Sequence, residues 1–171
     1  MMAIQNETFL LRPWEKGDAA SLTGHANNFK VWQNVRDCFP HPYTVTDGRD
    51  FIELALSKPA TQDFAIVIDG NAVGGIGIVP LSDVERFSAE IGYWIGEPFW
   101  NKGIVTQAVQ TMTTYIFDHT NINRLFAPVF AHNAASARVL EKSGFRQVGI
   151  LTKAAFKNNH FVDMILYELV K

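Results

Sequence analysis

The chain has one cysteine, Cys38, in 171 residues. That excludes an intrachain disulfide and most structural zinc sites, and it fits a reducing compartment. Charge of one sign is equally scarce. Fifteen basic residues stand against 17 acidic ones, a formal net charge of −2, and neither sign collects into a run. Nucleic-acid binders carry a basic excess or stripe, so no nucleic-acid partner is expected. No apolar stretch approaches the ~18 residues of a spanning helix. Residues 1–12 include Glu7 and lack a basic segment followed by an apolar one, the mark of a secretory signal. The expectation is therefore a cytoplasmic protein without membrane partners. The Gly-Lys-Ser/Thr of a nucleotide phosphate loop and the triple glycine of a dinucleotide fold are absent. No acidic cluster suggests a metal, and none is expected. There is no internal repeat, low-complexity tract or linker.

What remains is an ordinary globular composition, 47% apolar and 19% charged. Residues 1–171 read as one domain with a real core. Thr8 to Trp14 predicts a first strand ended by Pro13. Asp18 is expected to cap a helix running to about Asn28. Phe29 to Val35 is a second, aromatic-bearing segment. Arg36 to Tyr43, with Pro40 and Pro42, is a loop. A helix is expected to start at Thr46 or Asp47 and to end at Pro59. Phe64–Ile68 and Ala72–Val79 flank Asp69-Gly70-Asn71, a strong hairpin signal. Ser88 to Gly96 predicts a further strand, with Ile91, Tyr93 and Ile95 on one face and Glu90, Gly92 and Trp94 on the other. Val105, Ala108, Val109, Met112 and Ile116 fall at helical spacing and predict a core-facing stripe. Strand 125–130, helix 133–143, strand 145–150 and strand 161–170 complete the chain, the last two expected to pair. The order predicts an α+β fold with a mixed sheet.

Two segments carry the chemistry. Glu97-Pro98-Phe99-Trp100-Asn101-Lys102-Gly103-Ile104-Val105-Thr106 reads as a strand end, a glycine turn and a helix start. His132-Asn133-Ala134-Ala135-Ser136 opens a second helix, stopped by Gly144. Helix N-termini after strands aim backbone N–H groups at a ligand, and Gly103 lets an anion approach closely. Lys102 adds a charge at the turn.

Together Glu90–Ile95, Trp100–Thr106 and Asn133–Phe145, with the opening Leu11-Arg12-Pro13-Trp14 and Asp18, resemble the GNAT acetyltransferase superfamily over nearly the whole chain. Within it the chain is most similar to the branch containing the ribosomal-protein N-terminal (RimJ/RimL-like) acetyltransferases. The resemblance implies a mixed, mostly antiparallel central sheet flanked by helices, and acetyl-CoA as acyl donor. It implies that Asn101, Lys102, Gly103, Ile104, Val105 and Thr106 line the pyrophosphate, largely through backbone. Backbone of Tyr93, Trp94 and Ile95 would pair with the pantetheine amides, where that strand splays from the one at Ala127 to Phe130. Asn133 would bond the pantetheine region and Ser136 lie near the thiol end or the phosphates. Asn133 also reads as a plain helix N-cap. The chain departs from the family where many members carry a tyrosine as general acid: here that position is Leu140.

Acetyl transfer to an amine requires that the ammonium lose a proton, that the oxyanion be stabilised and that the thiolate leave. Glu90, on the strand leading to the cofactor segment, is the expected base. A strand N–H near Trp94 or Ile95 is the expected oxyanion donor. Cys38 lacks a patterned base and His132 reads as a strand-end residue. In this fold the loop after the first helices lies over the acceptor, which assigns Trp32, Arg36, Phe39, His41 and Tyr43 to a small-molecule or peptidyl amine. The expected function is an acetyl-CoA-dependent N-acetyltransferase working by direct attack in a ternary complex. The alternative is a non-catalytic acyl-CoA-binding regulatory module. Aromatic-rich surface segments permit a homodimer. The identity of the amine is not encoded in any motif.

Overall fold

A computed structural model describes residues 3–59 and 62–171. The chain divides into two compact units, one formed by the chain up to Gly77 with Tyr93–Ala108, the other by Ile78–Gly92 with Val109–Lys171.

In the first unit, β1 (Ile4–Gln5), β2 (Leu10–Pro13), β3 (Asp63–Ile68) and the start of β4 (Asn71–Pro80) form an antiparallel run in that order. The β3–β4 hairpin turns where expected. Asp69 and Gly70 both take left-handed φ, 49° and 78°, the pair a right-twisted two-residue turn demands. Three helices accompany these strands: α1 (Ala19–Ala26), α2 (Phe29–Trp32) and α3 (Val45–Ser57). Helix α3 begins ahead of the expected Thr46 or Asp47 because Thr44 is its cap. The Thr44 hydroxyl accepts from the Asp47 N–H at 3.2 Å, and the Asp47 carboxylate accepts from the Thr44 N–H at 2.7 Å. The helix stops at Ser57, since the residue before Pro59 is pushed to extended backbone. Trp14, Leu22, Ala26, Tyr43, Ile52, Ala65 and Val67 form the buried cluster, with Leu10, Phe39, Phe51 and Trp94 packed against it.

Asp18 departs from its expected task. It stands at the N-cap position of α1, but its carboxylate caps nothing there. It instead takes a bidentate pair from the Arg12 guanidinium, 2.7 and 2.8 Å, and the Glu15 N–H at 2.8 Å. The Arg12 pKa is raised, chiefly by that hydrogen bond. With the Asp18 side chain 7% exposed, removing its charge strands a guanidinium at the end of β2. Asp18→Asn is expected to lower unfolding stability by about 3 kcal/mol, read from urea denaturation.

The second unit holds the end of β4, most of β5 (Ser88–Ile95) and most of α4 (Ile104–His119). It also holds β6 (Arg124–Phe130), α5 (Ala134–Lys142), β7 (Arg146–Lys157) and β8 (His160–Val170). Its strands run β5-β6-β8-β7; β5 and β6 are parallel and the other pairs antiparallel. The expected pairing of the last two strands holds, but β7 runs past Ile150 to Lys157. Asn158 and Asn159 then turn the chain with φ of 48° and 65°, a conformation asparagine tolerates. Of the predicted α4 stripe, Ala108, Val109, Met112 and Ile116 are fully buried, while Val105 is half-buried at the first turn. The architecture is the expected α+β one: a mixed, mostly antiparallel open sheet flanked by helices.

Candidate active site

In the first unit the end of β5 leads into the glycine turn. Gly74 of β4 lies so close to that strand that an added Cβ would sit 2.4 Å from the Trp94 carbonyl oxygen and 2.9 Å from the Ile95 Cα. The Gly96 N–H donates to the Val73 carbonyl at 2.8 Å. A single helical turn, Glu97–Phe99, follows, and the Trp100 indole N–H reaches back to the Ile95 carbonyl at 2.9 Å. Asn101 and Gly103 then take left-handed φ, 60° and 76°, and α4 starts at Ile104. The Gln107 N–H to Gly103 carbonyl bond, 3.1 Å, closes the helix's first turn, so the amides before it point out along the axis. A Cβ placed on Gly103 would meet nothing within 4 Å. The turn therefore offers convergent N–H dipoles under open space, which suits an anion such as a pyrophosphate. Ile104 is itself buried, leaving its backbone as the part available to a ligand; Asn101 and Lys102 are exposed. The Lys102 ammonium sits 5.5 Å over the Phe99 ring.

Two supports of this turn carry no local sequence signal. Glu97 accepts from the Asn28 side chain at 2.8 Å and from the Lys30 ammonium, partners 69 and 67 residues away in the chain. Lys30, then Asn28, hold its carboxyl below the usual range. His25 packs edge-on against Phe99, centroids 5.5 Å apart, and so near Gly96 that a Cβ there would meet its ring at 2.7 Å. Burial lowers the His25 pKa from 6.5. The unfolded chain thus takes up that proton first on acidification. The stability it contributes is complete above pH 6.5 and is lost as pH falls through the folded value. The melting temperature is expected to decline below pH 6.5, with a shallower slope in His25→Gln.

Four of the five residues assigned to the acceptor fall into two groups. Phe39 stacks obliquely on Tyr43 at 4.7 Å and edge-on against Trp94 at 5.3 Å. The loop after α2 and strand β5 thus share one packed aromatic group. Tyr43 is 4% exposed, and burial with the nearby Asp47 pushes its hydroxyl up to about 12. Trp32 and His41 face each other at 5.7 Å in a second group with Phe29. Phe29 was missing from the expected site, though its i,i+3 spacing to Trp32 on α2 was visible. Arg36 and Cys38 are exposed in the loop between the groups.

The second unit carries the other expected residues. Glu90 is half-buried on β5, paired in register with Phe126. The parallel ladder covers Ser88–Glu90 against Arg124–Phe126, and both strands continue beyond it, β5 to Ile95 and β6 to Phe130. Asn133 is the N-cap of α5, its Oδ1 accepting the Ser136 N–H at 3.1 Å. The capping reading thus holds and fixes the amide's orientation. His132 is exposed and stacks on Phe130 at 5.6 Å. Leu140 is wholly buried, so nothing at that position can donate a proton. Among the described residues no group of three His, Cys, Asp or Glu could hold a metal ion, and no helix is long and apolar enough to cross a membrane.

Residues 8–146 match the family model described as the acetyltransferase (GNAT) domain. The chain is 30% identical to the uncharacterized N-acetyltransferase p20 of Bacillus licheniformis, over 100% of this chain and 97% of that one. It is 31% identical to the ribosomal-protein-serine acetyltransferase of Escherichia coli K12, over 56% of this chain and 54% of that one. A solved structure of RimL, the ribosomal L7/L12 α-N-protein acetyltransferase in complex with coenzyme A, superposes with a TM-score of 0.87. That match has 21% identity and covers 99% of this chain and 98% of RimL, a likeness of fold. The chain belongs to the GNAT acetyltransferase family. It is an N-acetyltransferase, and acetyl-CoA is its acetyl donor.

Proposed function

We propose that the chain moves acetyl from acetyl-CoA to a primary amine, a protein N-terminus or a small-molecule amine, by direct attack in a ternary complex in the cytoplasm. The observation that carries this reading is the left-handed turn at Asn101 and Gly103 opening α4 at the end of β5. The backbone of Asn101 to Thr106 holds the pyrophosphate, with Lys102 adding charge. Backbone of Tyr93 and Trp94 serves the pantetheine amides. A strand N–H, that of Trp94 or Ile95, serves the oxyanion. Asn133 presents its side-chain NH₂ to the pantetheine region while its oxygen caps α5, and Ser136 sits in the same first turn. Glu90 takes the proton of the attacking ammonium, and with Leu140 buried the thiolate leaves to water. The name of the Escherichia coli relative, an acetyltransferase of a ribosomal-protein serine, supports a peptidyl amine. We take residues 1–171 as one catalytic domain, since the chain passes between its compact units inside β4, β5 and α4.

The test is thiol release from acetyl-CoA across free amines and N-terminal peptides, beside calorimetric titration of coenzyme A. Release that depends on one acceptor class establishes the reading. Tight coenzyme A binding without release on any acceptor favours a binding module.

A further inference from the structure

The two aromatic groups of the first unit differ in burial. Phe39, Tyr43 and Trp94 are committed to the packed cluster. Phe29, Trp32 and His41 lie outside it. Their ring centroids stand 5.5, 5.7 and 5.8 Å apart, Phe29 is 46% exposed and His41 is exposed. Three rings from two segments, α2 and the loop after it, thus converge at the surface. Stacking and edge contacts with another ring are the interactions such a group makes best. Of the adjacent charges, Lys30, beside Phe29, is paired with Glu97, which its ammonium keeps ionised. An acidic or phosphorylated group finds no unbalanced attraction from that pair.

We propose that Phe29, Trp32 and His41 form a ring-recognising subsite, selecting amine acceptors that end in an uncharged flat aromatic group. The proposal rests on the amine-acetyltransferase reading and deepens it by naming the substrate class. Two amines test it: 2-phenylethylamine and 2-cyclohexylethylamine share the amine, the linker and nearly the same apolar bulk, and differ in the π face. Their binding to the protein saturated with coenzyme A is measured by calorimetry, and their turnover by thiol release. The phenyl compound is expected to bind about fivefold more tightly. That preference disappears in Phe29→Leu, a surface change, and shrinks in Trp32→Leu, with coenzyme A affinity unchanged. Equal binding of the two amines, or a preference that survives both substitutions, overturns the subsite. Preferential binding without thiol release upholds the subsite and overturns acetyl transfer to such amines. Release without preference does the reverse.

Discussion

Glu90→Gln is expected to bind coenzyme A as the parent chain does and to lose about 10²–10⁴-fold in kcat, the range for a removed general base. The substitution keeps the size and hydrogen-bonding shape of the side chain, so a loss confined to kcat isolates proton transfer. Its position supports this choice. Glu90 is half-buried and sits on β5 at the last pair of the parallel ladder, just before the strand enters the donor-side segment 93–95. Alternation puts it on the same strand face as Trp94. Unchanged turnover in Glu90→Gln would remove it as base and leave a water chain to accept the proton.

Gly74→Ala should cost about 3 kcal/mol, because the new methyl meets backbone, which cannot swing away as a side chain can. The Cβ would lie 2.4 Å from the Trp94 carbonyl oxygen and 2.9 Å from the Ile95 Cα, so β5 must shift. For a chain of this size the melting temperature drops by roughly 6–12 °C. Coenzyme A affinity should fall with it, since the displaced residues are the ones proposed to face pantetheine. Gly92→Ala on the same strand is the control: a Cβ there meets nothing within 4 Å, and neither quantity should change much. Retained affinity in Gly74→Ala would separate the β4–β5 approach from donor binding.

Sequence made the regular elements legible wherever local chemistry sets them. The Asp69-Gly70 turn, the α4 stripe and the Asn133 cap each depend on neighbours within a few residues, and each is where the pattern put it. The same locality misled at Asp18, a good cap type whose carboxylate is claimed by Arg12 from the preceding strand. β7 was foreseen too short because its pairing shifts register between Leu151 and Ala155, where Lys153 takes a left-handed φ of 51°, although Asn158-Asn159 marked the turn. The turn before α4 could be read from glycine and helix-start chemistry. Its supports could not: Asn28 and Lys30 meet Glu97 across more than sixty residues, and no periodicity encodes that meeting. The residues expected at the acceptor share one stretch of chain, and folding divides their rings into a packed set and an exposed set.

The wholly buried Leu140 also bears on the history of this chain. A tyrosine placed there would not bring back the acid that many relatives carry. Its ring would have to enter a filled core, and the cost would fall on folding before any gain in rate. One substitution at this position therefore supplies no internal acid. An acid introduced here would first need the space that Leu140 fills to be emptied.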